Sequence, residues 1–331
     1  MNNTGLNAAA RERAEQQLLE RIRKVSAPAL SEPAKILLDA LLEKFPGAAI
    51  LFYGSGASVS SHENPADIIF DFYVIGQDYE ALYASSLLHA ANKLVPPNVF
   101  YFETPSSFGT LRAKYAVLTI DHLEKLVGPA TFHSYFWARF AQPCRIYDPA
   151  NVLTTRLEGA LMSAIVTFCR RTAGLMTSAF TPHNLWLSGL GVSYKAELRA
   201  EDSERAAKLI KSYGDWADDV TAPALTLAGL APEGNAGAIT LPNKPQGNAP
   251  LAWRMRAFAG AFLSVLRLLK GTQTFRGGID YIAWKIKRHS GVDIGITEWE
   301  RRHPMLGAPR AALRYYRLRA AKTPPPPLSP K

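Results

Sequence analysis

A Gly-Ser-Gly triplet stands between two short apolar runs in residues 48–75, AAILFYGSGASVSSHENPADIIFDFYVI, and that punctuation leaves few folds open. The runs at 49–53 and 68–75 are of strand length and rich in β-branched and aromatic residues. The second carries one carboxylate, Asp71, in its middle. Gly54 and Gly56 let backbone N–H groups approach a phosphate chain closely, and the Ser55 hydroxyl can hold a phosphate oxygen. Asp71 then sets Mg²⁺ against the same phosphates. Strand, glycine turn and acid-bearing strand together describe a nucleotide-polymerase-like site.

Carboxylates that share a metal on one strand alternate, because residues i and i+2 lie about 6.6 Å apart on one face. Asp67 and Asp71 are separated by about 13 Å on that rise, and position 73 is Tyr, so no Asp-x-Asp occurs. Asp71 is the expected metal ligand, since a lone carboxylate inside an apolar strand is costly without a partner. The ordinary alternative is a strand acid paired with Lys or Arg. Asp67 joins it if the strand begins with a bend, and Glu103 on a following strand is a third candidate. The seven histidines show no metal spacing, and no phosphate-binding P-loop, dinucleotide fingerprint or Gly-x-Ser-x-Gly is present. Residues 270–276, KGTQTFR, read as a helix connection or an anion-binding loop.

The chain alternates strands and helices up to a boundary near Asp148-Pro149. Helices are expected at 8–25, with Leu18, Leu19, Ile22 and Val25 as its apolar stripe, at 31–44 behind Ser31 and Pro33, and at 79–94, with Leu82, Leu87, Leu88 and Ala91 inward. Strands are expected at 99–103 and 113–120, followed by helices at 121–127 and 132–140. Residues 152–230 read as helices near 152–173, 181–190 and 201–218, and 233–250 as a Gly/Pro/Asn-rich connection. The helix at 251–270 gathers Met255, Phe258, Phe262, Val265 and Leu269 on one stripe, expected to face the core, with the alternative that the basic helices 251–270 and 310–322 lie as interfacial helices on an anionic bilayer. Helices at 279–289 and 310–322 precede a Pro-rich tail. The domains are therefore 1–30, an N-terminal helix; 31–148, α/β; 149–235, helical; 236–250, a linker; 251–322, basic and helical; and 323–331, the tail. The class is α+β.

Charge is unevenly placed. Residues 241–331 carry 17 Lys/Arg against 4 Asp/Glu, a net +13, while the first 240 carry 21 against 24, a net −3. Such a C-terminal quarter faces something anionic, nucleic acid or acidic lipid, unless it is simply a solvated basic face. Two cysteines form no disulfide framework, and no apolar window reaches the roughly 20 residues of a membrane-spanning helix.

The chain resembles the mitochondrial-type phosphatidate cytidylyltransferase family, the translocator-assembly-and-maintenance type. FYGSGAS (52–58) is similar to the family's YGSG turn, and DFYVIGQD (71–78) to its Asp-led strand. NVFYFE (98–103), RAKYAVLTIDHL (112–123) and FWARFAQPCRI (136–146) follow in family order. LSGLGVSYKAELRAEDSERAAKLI (187–210) and KGTQTFRGGIDYIAWKIKR (270–288) complete a set spanning roughly 48–290. The resemblance implies a nucleotidyltransferase-like domain, a winged-helix-like helical domain and a basic C-terminal region packing back toward the active site. It implies Mg²⁺-dependent conversion of CTP and phosphatidate to CDP-diacylglycerol and pyrophosphate. Gly54, Ser55 and Gly56 would hold the triphosphate and Asp71 the metal, with Ser55 and Asp71 as the catalytic pair. Lys114, Tyr115, Lys270, Gln273 and Arg276 would line the nucleotide or the phosphatidate headgroup. Ala116 replaces a family Gly, Arg276 a Lys, and Leu82-Tyr83 a Trp-His, departures that bear on the acceptor. The expected setting is cytoplasmic, peripheral on the anionic inner face of the cell membrane, with no stable nucleic-acid partner. The alternatives are a nucleotidyltransferase of this fold with another acceptor, and an inactive basic module binding membrane or nucleic acid.

Overall fold

The computed structural model of the chain describes residues 8–54, 64–176, 179–196, 203–235, 237–242 and 248–274. Toward the C-terminus it describes 283, 286–287, 292–303, 307, 310–311, 313–315 and 317–318. Two helices, α1 (Ala8–Ser26) and α2 (Glu32–Lys44), lead into a five-stranded mixed sheet. Its strands are β1 (Ala49–Tyr53), β2 (Ile69–Gly76), β3 (Asn98–Ser106), β4 (Gly109–Thr119) and β5 (Cys144–Tyr147), in the spatial order β3-β4-β2-β1-β5. β2 and β4 are parallel, and every other neighbouring pair is antiparallel. The parallel pair needs a long crossover, made by α3 (Tyr79–Leu82), α4 (Ser86–Leu94) and β3.

Strand alternation sends neighbouring residues into two different cores. Ile50, Phe52, Phe70, Phe72, Val74, Ala113, Tyr115 and Val117 pack against Leu37, Leu38 and Leu41 of α2. Ala49, Leu51, Tyr73, Ile75, Ala116 and Leu118 face the larger core, which continues through Leu18 and Ile22 of α1 into the helices that follow. Those helices are α5 (Ile120–Val127), α6 (Trp137–Phe140), α7 (Thr154–Ala173), α8 (Pro182–Ala196), α9 (Ser203–Ser212) and α10 (Trp216–Leu227). A small hairpin, β6 (Glu233–Asn235) and β7 (Ala238–Thr240), is tied to the body by a bridge from Phe180 to Ile239. The long α11 (Ala249–Thr274) and the short α12 (Glu298–Arg302) complete the described elements. Burial on both faces explains why β1 and β2 read as unbroken apolar runs rather than alternating ones.

Several expectations are corrected. The helix expected at 79–94 breaks at Tyr83, and Leu87 is 81% exposed rather than inward. α4 is instead anchored by the buried Asn92, which donates to the Val117 carbonyl (2.7 Å) and accepts from the Asn98 N–H (2.6 Å). The expected helix at 132–140 contracts to α6, and 201–218 divides at Gly214 into α9 and α10. The 233–250 connection contains the β6–β7 hairpin. The largest reversal is α11. Met255, Phe258 and Phe262 are 56%, 82% and 61% exposed, whereas Trp253 and Arg256 are buried. The Arg256 guanidinium sits over the Phe132 and Trp253 rings and donates to the Phe132 carbonyl (3.0 Å). A Cβ at Gly260 would collide with the Ala196 backbone, so glycine permits this close crossing of α8. Val265 and Leu269 side chains lie outside the described residues. No described helix is long and apolar enough to cross a membrane.

Asn92→Ala would leave the Asn98 N–H buried without its acceptor, costing about 2 kcal/mol. Urea unfolding at neutral pH should show that loss, and an unchanged midpoint would contradict the anchoring role.

Candidate functional site

β1 ends at Tyr53, and Gly54 turns the chain with φ +82°, in the left-handed region that glycine enters without strain. A Cβ at Gly54 would lie 3.6 Å from Asp71 Oδ2, so the glycine turn abuts the strand carboxylate. The sheet register aligns Tyr101, Lys114, Asp71 and Tyr53 in one row across β3, β4, β2 and β1. In-register residues share a face at about 4.8 Å per strand. Lys114 Nζ lies 3.3 Å from Asp71 Oδ1, and the two side chains are 29% and 27% exposed. One carboxylate oxygen is thus directed to the lysine and the other toward Gly54. The Lys partner considered for a strand acid is present, and it comes from the segment that the family resemblance also singles out.

The remaining candidates separate. Asp67 ends a 3-10 turn, Pro65–Asp67, ahead of β2 and is exposed there, so it does not share the strand with Asp71. Asn64 caps that turn, and Arg112 donates to its Ala66 carbonyl (2.8 Å). Glu103 is engaged by Arg112 Nε (3.2 Å), directly across β3 and β4 and one same-face step beyond the Lys114 row. Tyr115 is corrected from a lining residue to a core residue. Alternation turns it to the opposite face, where its hydroxyl accepts from Lys44 Nζ (2.7 Å) and its ring packs on Phe45, Phe100 and Phe102. Lys270 is not brought against Asp71. It donates to the Val95 and Pro97 carbonyls ahead of β3, and burial, with Arg267 nearby, lowers its pKa to about 8. Ser55, Gly56, Arg276 and the Gln273 side chain lie outside the described residues. Among the described residues no three His, Cys, Asp or Glu side chains gather as a metal set. Mg²⁺ commonly takes one or two carboxylates and completes its shell with water and substrate phosphates. Asp71 beside Gly54 fits that donor pattern.

An arginine–tyrosine cluster that the sequence did not single out completes the site. Tyr73 lies two residues beyond Asp71 on the same face, where a second metal ligand was looked for. Its hydroxyl, with those of Tyr53 and Tyr135, accepts from Arg139 Nη1 at 3.4, 3.3 and 3.3 Å. The guanidinium also lies over the Tyr53 and Tyr135 rings, 5.6 and 4.3 Å from their centroids. Burial first, then Tyr135, holds the Tyr73 hydroxyl far above its ordinary pKa, against the opposing pull of Arg139. Arg267 of α11 stacks over the other side of this group, 3.8 Å from the Tyr135 centroid. The i+2 spacing from Asp71 to Tyr73 was available as a signal; Arg139 needed the fold.

A separate recess of about 410 Å³ lies at the other end of the sheet, past Gly76 and Thr119, lined by Tyr79, His89, Lys93, His122 and Lys125. Its acids are already engaged, Asp78 by the Ala81 N–H, Glu80 by His89 and Asp121 by Arg156. Gly54, Asp71 and Lys114 lie together at the opposite end of the sheet from this recess. Compared with known families and with curated proteins, the chain matches no family model and no curated sequence.

His133 adjoins this cluster, and burial, with Arg267 secondary, depresses its pKa to about 4. Between that value and the ordinary 6.5 the unfolded chain binds the proton and the folded chain does not, so stability falls as pH drops through this window. Thermal unfolding should show a steeper decline from pH 6.5 to 4 for the wild type than for His133→Gln. Equal slopes would exclude the assignment.

Proposed function

We propose that this chain is a Mg²⁺-dependent nucleotidyltransferase that joins CTP to phosphatidate, giving CDP-diacylglycerol and pyrophosphate. The observation that carries the reading is the Gly54 turn set against Asp71, with Lys114 in register across the parallel pair. A mixed sheet followed by helices and a small hairpin supports a nucleotidyltransferase-like domain with a winged-helix-like addition.

In the proposed reaction a phosphatidate phosphate oxygen attacks the α-phosphorus of CTP. The new P–O bond forms as the bond from the α-phosphorus to the bridging oxygen breaks, and pyrophosphate leaves with that electron pair. Bound at Asp71, Mg²⁺ would neutralise phosphate charge. Gly54, which carries no side chain beside Asp71, would let the triphosphate approach the backbone. Lys114 exchanges part of its interaction with Asp71 for a phosphate oxygen, keeping a cation beside the developing charge. Arg139, preorganised by three tyrosine hydroxyls and two rings, presents its guanidinium to the second anionic group. Arg267 of α11 borders the Arg139 cluster over the Tyr135 ring. The location that follows is the cytoplasmic face of an anionic membrane.

A second reading rests on the Lys114–Asp71 pair and the absence of Asp-x-Asp: a catalytically silent member of the fold that binds anions. A panel of nucleoside triphosphates with and without phosphatidate, read by pyrophosphate release, separates the two. CTP with phosphatidate should give release. Release that needs a different acceptor would keep the fold reading and remove the lipid. Asp71→Asn should lower turnover by at least roughly 100-fold with the thermal midpoint retained, and near-normal turnover would remove Asp71 from the metal site.

A further inference from the structure

The outer face of α11 is an apolar line with nothing of the described chain laid over it. Leu251, Met255, Phe258 and Phe262 recur at spacings of four, three and four, which keeps them on one side of a helix, and all four are exposed. The line runs about 16 Å at 1.5 Å per residue. Phe132, which holds Arg256 through its ring and carbonyl, is also exposed and widens the apolar surface at one end. At the other end Lys270 reaches the Val95 carbonyl, which brings in the highly exposed Leu94.

The surroundings are cationic. α11 contains Arg254, Arg256, Arg267 and Lys270 and no carboxylate in its 26 residues. The Trp253 indole donates to the Arg171 carbonyl (3.2 Å), placing the last turn of α7, with Arg170 and Arg171, alongside. This charge selects among occupants. A second copy would set two acid-free cationic helices against each other. The remaining C-terminal part, 275–331, carries 12 Lys/Arg against 4 Asp/Glu, so its net charge repels rather than complements that of α11. An anionic lipid surface satisfies both requirements, taking the apolar line into its acyl boundary and the arginines at its headgroups.

We propose that α11 is an interfacial docking helix, lying with Leu251, Met255, Phe258 and Phe262 in the surface of an anionic phospholipid bilayer. This deepens the reading above, on which its role in substrate supply rests: the helix that meets the bilayer carries Arg267 to Tyr135 and so to the Arg139 cluster, joining the lipid surface to the site.

The test is co-sedimentation of the full chain with phosphatidylcholine vesicles and with equimolar phosphatidylcholine–phosphatidylglycerol vesicles. Wild type should partition to the anionic vesicles in a salt-sensitive way. Phe258→Ser combined with Phe262→Ser should reduce that partition by about tenfold or more, the scale expected from withdrawing two aromatic side chains from an apolar phase. Both residues are exposed, so the thermal midpoint should not move, and Phe258→Trp should give blue-shifted emission on anionic vesicles as an independent readout. Turnover of a water-soluble short-chain phosphatidate should survive in the double variant while turnover of vesicle-borne phosphatidate falls. If no phosphatidate is turned over by any form, the reaction reading fails while the partition result still decides the docking surface. Unchanged partition in the double variant overturns the proposal. So does a wild-type dimer in sedimentation equilibrium that the double variant converts to monomer while vesicle binding persists, which assigns the face to a second copy.

Discussion

The parallel register between β2 and β4 is the constraint on which the site depends. It pairs Asp71 with Lys114 and Phe72 with Tyr115, and thereby decides which of two adjacent basic and aromatic residues meets the carboxylate. A one-residue slip would exchange the two faces of a strand. Lys114 would then enter the aromatic core beneath α2, and Tyr115 would face Asp71. Both alternatives bury a polar group without its partner, while the observed register puts Lys44 on the Tyr115 hydroxyl and Lys114 on the carboxylate. Burial of the sheet on both sides makes that penalty large enough to fix the register.

That double burial also explains what the sequence could and could not convey. The strand at 49–53, the turn at Gly54 and the acid in β2 were readable because glycine and a lone carboxylate interrupt apolar runs conspicuously. Lys114 and Tyr115 entered together through the resemblance, and only the fold separates them, because their difference is a matter of face and not of composition. Tyr73 was set aside for being no carboxylate, although the alternation that excluded a second acid there also placed its hydroxyl beside the site. Asp67 and Glu103 are close to Asp71 in sequence or strand order, yet a 3-10 turn and a salt bridge to Arg112 direct them elsewhere.

α11 misled for a related reason. Its apolar residues occupy more than one stripe, with Trp253 and Gly260 on one side and Met255, Phe258 and Phe262 on the other. Periodicity ranks stripes by hydrophobicity, whereas the fold chose the side with the small residue. Gly260 allows close approach to α8, and a buried arginine is tolerated there because aromatic rings and a carbonyl oxygen receive it. Close backbone packing gains many short contacts, and the larger apolar line was left outside. A helix chosen for its core contacts alone would carry polar groups on that outer side.

The same device recurs around the site. Arg139 is held by tyrosine rings and hydroxyls, Arg267 by the Tyr135 ring and the Pro96 carbonyl, Arg256 by Phe132 and Trp253, and Lys270 by two carbonyls. Rings and carbonyls position a cation through their quadrupoles and dipoles. Aromatic clamps at β1, β2 and α11 thus fix Arg139 and Arg267 rigidly where the sheet meets the long helix, and they account for the tyrosines gathered at that junction.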